Sequence, residues 1–440
     1  MNKLLILLCA GFLFSCAPAP EEKQQVEAPN INDIATDYVK LILEVGLYDS
    51  DVVDAYYGPQ AWKDALGEKQ DIFPLDTLSM RASSLKAQIS AIDTSAFSDE
   101  EHARHHMLSK QLTAISTKIN MLGGIKYSFD EEAKLLYDAQ PPTYELSYFD
   151  DLLSELDAKV PGQGKLSERF NAYQSKFQIP SDKLSDVFQT AINESRKRTL
   201  ANMPLPENEN FVLEYVKDKA WSGYNYYQGN AQSLIQINTD FPIYIDRVVD
   251  LAAHEGYPGH HVFNLLLEQN LAKDKGWVEF SIYPLFSPQS LIAEGSANYG
   301  IDVAFPGAGR IQYEKDVLFP IAGINPEEAD LYYEILAIRG RLNYARNEVA
   351  RAYLNGDITR EEGAELLSKY LLMSPERALQ STRFIDKYRS YVINYNLGKD
   401  LVGQYMQAKG ATSTNPELRW EVFTKLLSSP HTASSMANAK

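Results

Sequence analysis

Apolar residues three and four positions apart dominate the first two hundred residues of the chain. Ile34, Tyr38, Leu41, Ile42 and Val45 form one such stripe, the spacing of a helix that buries one face. A turn at Gly58-Pro59 closes the next segment. Ser98-Asp-Glu-Glu101 has the form of a capping box, in which serine and glutamate satisfy each other's free amides, and it predicts a helix running to Gly123-Gly124. Ser128-Phe-Asp-Glu131 repeats the device, and a further helix is expected after Pro180, with Ser181 near its cap, to about Arg198. Asn325-Pro-Glu-Glu predicts a long helix to about Leu354, and Thr359-Arg-Glu-Glu362 caps another. From Pro375 a last long helix carries Arg383, Tyr388, Arg389, Tyr391 and Tyr395. The texture changes at Pro204 and Pro206: Trp221 to Gly229 reads as an aromatic loop, and Ser233-Leu-Ile-Gln-Ile-Asn238 is the best strand candidate. The pattern predicts a mostly α chain with a small β-strand element, divided into a helical lobe over residues 31–200 and a second lobe over residues 201–440.

Within the second lobe, Val248, Val249, Leu251, Ala252 and Ala253 lead into His254-Glu255-Gly-Tyr-Pro258-Gly259-His260-His261, and Val262, Phe263, Leu265, Leu266 and Leu267 lead out. Both flanks read as largely buried helix, where polar groups must be paired or used. Neutral imidazole is a good zinc ligand, and a carboxylate beside the first ligand can take a proton from zinc-activated water. Two ligands on one helical face are usually four residues apart, but that position is Pro258. His261, seven residues on, lies about 10 Å along a straight helix, too far for one ion to bridge. Pro258 and Gly259 predict a kink or bulge. A bulge that absorbs two residues brings His260 to the second ligand's place, with His261 as the alternative. A third ligand should leave one position open for water, and Glu294, set amid small and apolar residues 40 positions after His254, supplies it. Asn298, one turn on, is placed to orient a ligand histidine.

His-Glu-Gly-Tyr-Pro-Gly-His-His at 254–261 and Glu-Gly-Ser-Ala-Asn-Tyr at 294–299 resemble the motifs of the domain of unknown function 885 family, bacterial proteins grouped with the gluzincin-type zinc metallopeptidases. The resemblance spans roughly Ile31 to Val402. It implies a large helical zincin-like fold and zinc held by His254, His260 and Glu294, because the family keeps the first histidine after Pro-Gly more strictly than the second. Glu255 then activates the water, and Tyr391, with Arg389 and Tyr395 behind it, is expected to stabilise the oxyanion. In gluzincin-like enzymes an edge strand before the zinc helix pairs with the bound peptide, and residues 233–238 stand in that place, where they serve equally well as a core strand. The sequence departs from the family at Ala345-Arg-Asn-Glu-Val349 and Tyr388-Arg-Ser-Tyr391, where Asp-x-Gly-x-His and Pro-Gly-Gln elements are expected. These departures bear on substrate identity and leave the zinc motifs intact.

Composition narrows the setting. Lys3 precedes an apolar run from Leu4 to Phe14 that ends at Ser15-Cys16, the form of a lipoprotein signal and too short to span a membrane. Residues 1–16 are read as that signal, Cys16 as the lipidated anchor, and residues 17–30 as a flexible tether. Cys9, the only other cysteine, lies in the removed part, so disulfides and thiolate ligands are excluded from the mature chain. Forty-two basic against 59 acidic residues give a net charge of −17, and no basic cluster suits nucleic acid. His102, His105 and His106 form the one competing histidine cluster, but Asp99, Glu100, Glu101, Arg104 and Lys110 around them read as a solvated face. The expectation is an extracytoplasmic metallopeptidase in the bacterial cell envelope, periplasmic or at the cell surface, with a peptide substrate. The rivals are a non-catalytic zinc- or peptide-binding lipoprotein and a zinc amidase acting on non-peptide amides; Glu255 speaks against the first, since a structural zinc needs no base.

Overall fold

The computed structural model describes residues 29–438, so the signal, Cys16 and most of the tether lie outside the described residues. The chain is mostly α, as its periodicity predicts. The first stripe forms the Ile31–Gly46 helix with all five named residues buried. Both serine capping boxes close with both reciprocal bonds, starting the Asp99–Leu122 and Phe129–Tyr137 helices. The helix after Pro180 begins later than expected, at Leu184, and runs to Leu200. Apolar side chains from Ile34 to Met436 share one buried cluster. No helix among the described residues is long and apolar enough to cross a membrane.

Two of the expected long helices are interrupted. The segment after Asn325 divides into Ala329–Arg341 and Ala345–Asn355 around a tight turn at Leu342–Tyr344. The segment after Pro375 divides into Pro375–Tyr388 and Ile393–Ala408, and two shorter helices, Pro416–Leu427 and Ala433–Ala437, follow it. The second break has a visible cause. Arg389 adopts the left-handed conformation, φ 53°, uncommon without glycine. It does so where the buried Glu132 carboxylate accepts bonds from Arg389 Nε (2.6 Å), Ser390 N (3.0 Å) and Ser390 Oγ (2.6 Å).

Among the described residues five strands lie before and after the His254–His261 motif: β1 (Val53–Tyr56), β2 (Asn210–Val216), β3 (Gly223–Gly229), β4 (Gln232–Asn238) and β5 (Ile282–Pro284). β1 pairs antiparallel with β5. The other three form a sheet in the order β2-β4-β3, parallel between β2 and β4 and antiparallel between β3 and β4. The strand expected at 233–238 is present, but it is central, paired on both sides, so its backbone is not free to bind a peptide. The aromatic stretch read as a loop is β3. Its alternation reveals why: Asn225 and Tyr227 are buried on one face, while Tyr224 and Tyr226 pack ring to ring, 4.5 Å between centroids, on the other.

Candidate metal centre

The Ile245–Leu251 helix widens into a π-helical turn at Ala252–Gly256, leaves helical geometry at Tyr257-Pro258-Gly259, and resumes at His260. The expected bulge is therefore real. Gly259 is required by close approach: its N–H donates to Ala253 O (2.9 Å), and a Cβ there would sit 1.9 Å from His254 O. Behind the bulge, the Tyr257 hydroxyl donates to Glu209, which Arg196 also pairs.

This backbone sends the adjacent histidines in opposite directions. His261 is fully buried, with Nδ1 2.8 Å from Ser233 Oγ and Nε2 3.3 Å from Glu209 Oε2. Both of its ring nitrogens are engaged. His260 instead turns toward His254, ring centroids 4.7 Å apart, and His254, Glu255 and His260 offer ligand atoms within 4.8 Å of one another. Glu294, from the buried Pro288–Ala304 helix, closes the group: its Oε2 lies 3.2 Å from His254 Nε2 and 3.6 Å from His260 Nε2. Around a tetrahedral zinc with bonds of ~2.0–2.2 Å, neighbouring ligand atoms stand ~3.3–3.6 Å apart. Glu294 Oε2 is buried and makes no well-aligned hydrogen bond, so positive charge between it and the two imidazoles, on the rings or on a bound cation, is what compensates it. The donor set fits one zinc ion.

Helix packing fixes Glu294 in this place. A Cβ on Gly295 would meet Gly398 C and O at 2.4 Å, so the Pro288–Ala304 and Ile393–Ala408 helices cross backbone to backbone. The crossing brings up the turn just before Ile393, where the Tyr391 hydroxyl donates to Glu294 Oε1 (2.8 Å). Tyr391, expected at the oxyanion, lines the cavity and holds the carboxylate by its other oxygen. Tyr395 lines the cavity. Arg389 is not brought to it, being drawn off by Glu132. Asn298 reaches the cavity, but its amide donates to Tyr395 O (3.1 Å) and not to a histidine.

Electrostatics favour the charged forms of the ligand pair. Burial alone would lower the His260 imidazole, but Glu294, with Glu255 and Asp54, raises it to about 9. Burial likewise opposes ionisation of Glu294, yet His260 and His254 hold its carboxyl well below the ordinary range. Burial pushes Glu255 upward, with Glu294 adding and the two histidines opposing. Glu255 is also held by its surroundings: Asn225 Nδ2 donates to its backbone oxygen (2.7 Å), and a Cβ on Gly223 of β3 would fall 2.8 Å from its Oε1.

Two groups at this site carry no motif. Asp54 on β1 receives the Tyr224 hydroxyl bond, and burial, aided by Glu294 and Glu255, raises it to about 6. Its one sequence signal is an acidic position between Val53 and Ala55. Arg346 lines the cavity from within the segment that departs from the family pattern. The histidines at 102–106 stay apart from the site. His105 Nε2 lies 2.9 Å from Ile89 O, and His106 Nε2 lies 3.0 Å from Ser434 Oγ. Arg104, expected on a solvated face with them, is instead buried against Glu279.

No family model and no curated protein matches the chain, which leaves the resemblance to the domain of unknown function 885 family on its motif residues. Among solved structures the chain is similar to "the putative lipoprotein from Colwellia psychrerythraea", with 16% identity and a TM-score of 0.51 over 81% of this chain. It spans 65% of that protein's length. It is also aligned with the M32 carboxypeptidase from Deinococcus radiodurans R1, at 12% identity and a TM-score of 0.45, over 90% of this chain and 87% of the other. The likeness to the Colwellia protein is one of fold.

Proposed function

We propose that the chain is a zinc-dependent metallopeptidase, held at the bacterial cell envelope through a lipidated Cys16. The observation that carries this reading is Glu294 Oε2, buried and without a well-aligned hydrogen bond, at 3.2 and 3.6 Å from the two histidine Nε2 atoms, with Glu255 beside them. His254, His260 and Glu294 would hold the ion, which when bound supplies a Lewis acid and makes water a nucleophile at neutral pH. The rest is the work of the chain's own groups. Glu255, its pKa raised by burial, takes a proton from the water that attacks the peptide carbonyl and passes it to the leaving amine. Tyr391 keeps Glu294 in register through Oε1. Tyr395, whose hydroxyl is kept protonated by burial with Glu294 and Glu255 nearby, is the cavity donor for the developing oxyanion.

Glu255→Gln separates an enzyme from a binding protein. The substitution keeps shape and removes basicity, so the zinc-loaded variant should stay folded while turnover of a mixed peptide library falls ~10²–10⁴-fold. Mass spectrometry of the digests reads turnover and cleavage preference together. Undiminished cleavage by the variant overturns the role of Glu255. Retention of peptides by both proteins with cleavage by neither favours a capture lipoprotein instead.

A further inference from the structure

Five arginines from four elements line one continuous space next to the candidate metal centre. Arg247 comes from the helix before the bulge, Arg339 and Arg341 from the first of the two helices after Asn325, Arg346 from the second, and Arg377 from the Pro375–Tyr388 helix. Arg247, Arg346 and Arg377 line the cavity of about 270 Å³ that also holds His254, Glu255, His260 and Glu294. The same three line an adjoining cavity of about 1070 Å³, to which Arg339, Arg341 and Lys399 are added along with the carboxylates of Asp250 and Asp400; Arg341 is paired with Glu155 at 2.8 Å. Beyond the candidate metal ligands, guanidinium groups thus outnumber carboxylates in the lining of the cleft.

These arginines differ in what they bind. Arg247 pairs with Asp250 at 2.8 Å, and Arg310 holds the other Asp250 oxygen at 2.8 Å. Arg339 feels Asp246, but that carboxylate is taken by the Tyr332 hydroxyl (2.6 Å). Among the described residues, Arg339, Arg346 and Arg377 form no ion pair, although Arg339 stacks on the Phe170 ring, and Arg346 Nε is buried with no hydrogen-bond partner at all. Arg377 stacks on the Phe241 ring instead, 4.8 Å from its centroid. Burial depresses Arg346 to about 10, with Tyr395 opposing and Arg377, Arg339 and Arg247 adding. Like charges gathered without counter-ions are held at a cost. The planar guanidinium fork matches a carboxylate through two parallel bonds, so anionic groups of a ligand would relieve that cost and satisfy the orphaned donor.

We propose that this wall binds a peptide end bearing two carboxylates, Arg346 and Arg377 receiving them with Arg339 at the rim, so that substrates are peptides ending in an acidic residue and cleavage releases a short acidic C-terminal fragment. This rests on the metallopeptidase reading. A single C-terminal carboxylate would satisfy one fork and leave its neighbour unpaired. An acidic last residue supplies both charges from one backbone unit.

The test measures binding apart from turnover. Zinc-loaded Glu255→Gln protein is titrated calorimetrically with Ala-Ala-Ala-Glu, Ala-Ala-Ala-Gln, the C-terminal amide of the first, and inorganic phosphate. The free acid ending in Glu should bind at least about tenfold more tightly than the Gln peptide or the amide, as expected for a desolvated charge-assisted bond. Arg377→Met and, separately, Arg346→Met in that background should erase the preference while zinc content and circular dichroism are unchanged, and Arg346→Lys should restore part of it. Equal binding of the three peptides overturns the proposal, as does phosphate binding more tightly than the acidic peptide. Should Arg346→Met lose its fold, Arg377→Met decides. Wild-type digestion of the same peptides keeps the two readings apart. Selective binding without any wild-type turnover overturns the peptidase reading alone, whereas cleavage of all three at equal efficiency overturns the arginine site alone.

Discussion

His260 and His261 are neighbours of identical chemistry, and their surroundings give them different work. His260 faces Glu294 and His254, while both nitrogens of His261 are engaged by Ser233 and Glu209. Loss of His254, His260 or Glu294 to alanine should therefore abolish stoichiometric zinc, measured by elemental analysis of the purified protein. His261→Ala should retain zinc and lose stability instead, about 1–3 kcal/mol in denaturant unfolding, because a partner of the buried Glu209 carboxylate is gone. Zinc kept by His260→Ala and lost by His261→Ala would reverse the assignment. The candidate ligand residues were legible because their chemistry is crowded into two short stretches. Asp54 and Arg346 were not, since each is one charged residue in a stretch without a motif, and only tertiary packing carries them to the cavity.

At the scale of elements, the site depends on two irregularities in helices. One is the Pro258-Gly259 bulge, readable from the sequence because proline and glycine announce a break. The other is the Gly295–Gly398 crossing, which periodicity does not reveal, since a glycine in a helix shows its purpose only beside the backbone it admits. The break at Arg389 was hidden for the same reason: its cause is Glu132, more than 250 residues earlier in the chain. The sheet shows the converse. β3 reads as a loop because its glycines and tyrosines look like turn and stacking residues, yet pairing with β4 makes it a strand. A methyl group at Gly295 must push the two helices apart, since its neighbours there are backbone atoms of Gly398 at 2.4 Å. Gly295→Ala should cost ~1–3 kcal/mol by overpacking. It should also weaken zinc binding, because the shift separates Glu294 from Tyr391. A chelator competition series reads the second effect, and an unchanged zinc affinity would show that the crossing serves stability alone.

At the scale of the whole molecule, the question is whether the helical first half and the second half, which carries the candidate metal centre, unfold as one body. The ion pair of Arg104 and Glu279 joins them, with Nε to Oε1 at 2.6 Å and Nη2 to Oε2 at 3.0 Å, the two side chains 5% and 1% exposed. The same guanidinium donates to Asn32 Oδ1 (2.8 Å) and stacks on Trp277. It thereby ties the first helix to the segment that leads into β5 and on to Glu294. Breaking such a buried pair from one side leaves an uncompensated charge and typically costs ~3–5 kcal/mol, whereas replacing both partners by apolar residues of similar volume is often neutral. Arg104→Met should accordingly lower the denaturation midpoint strongly, and Arg104→Met with Glu279→Met should recover most of the loss. Helix loss followed by circular dichroism and zinc release followed by a chromogenic chelator should move together in every variant, because the buried apolar cluster is continuous from Ile34 to Met436. If zinc release keeps its midpoint in Arg104→Met while part of the helical signal is lost earlier, the halves fold as separate units and the pair merely docks them.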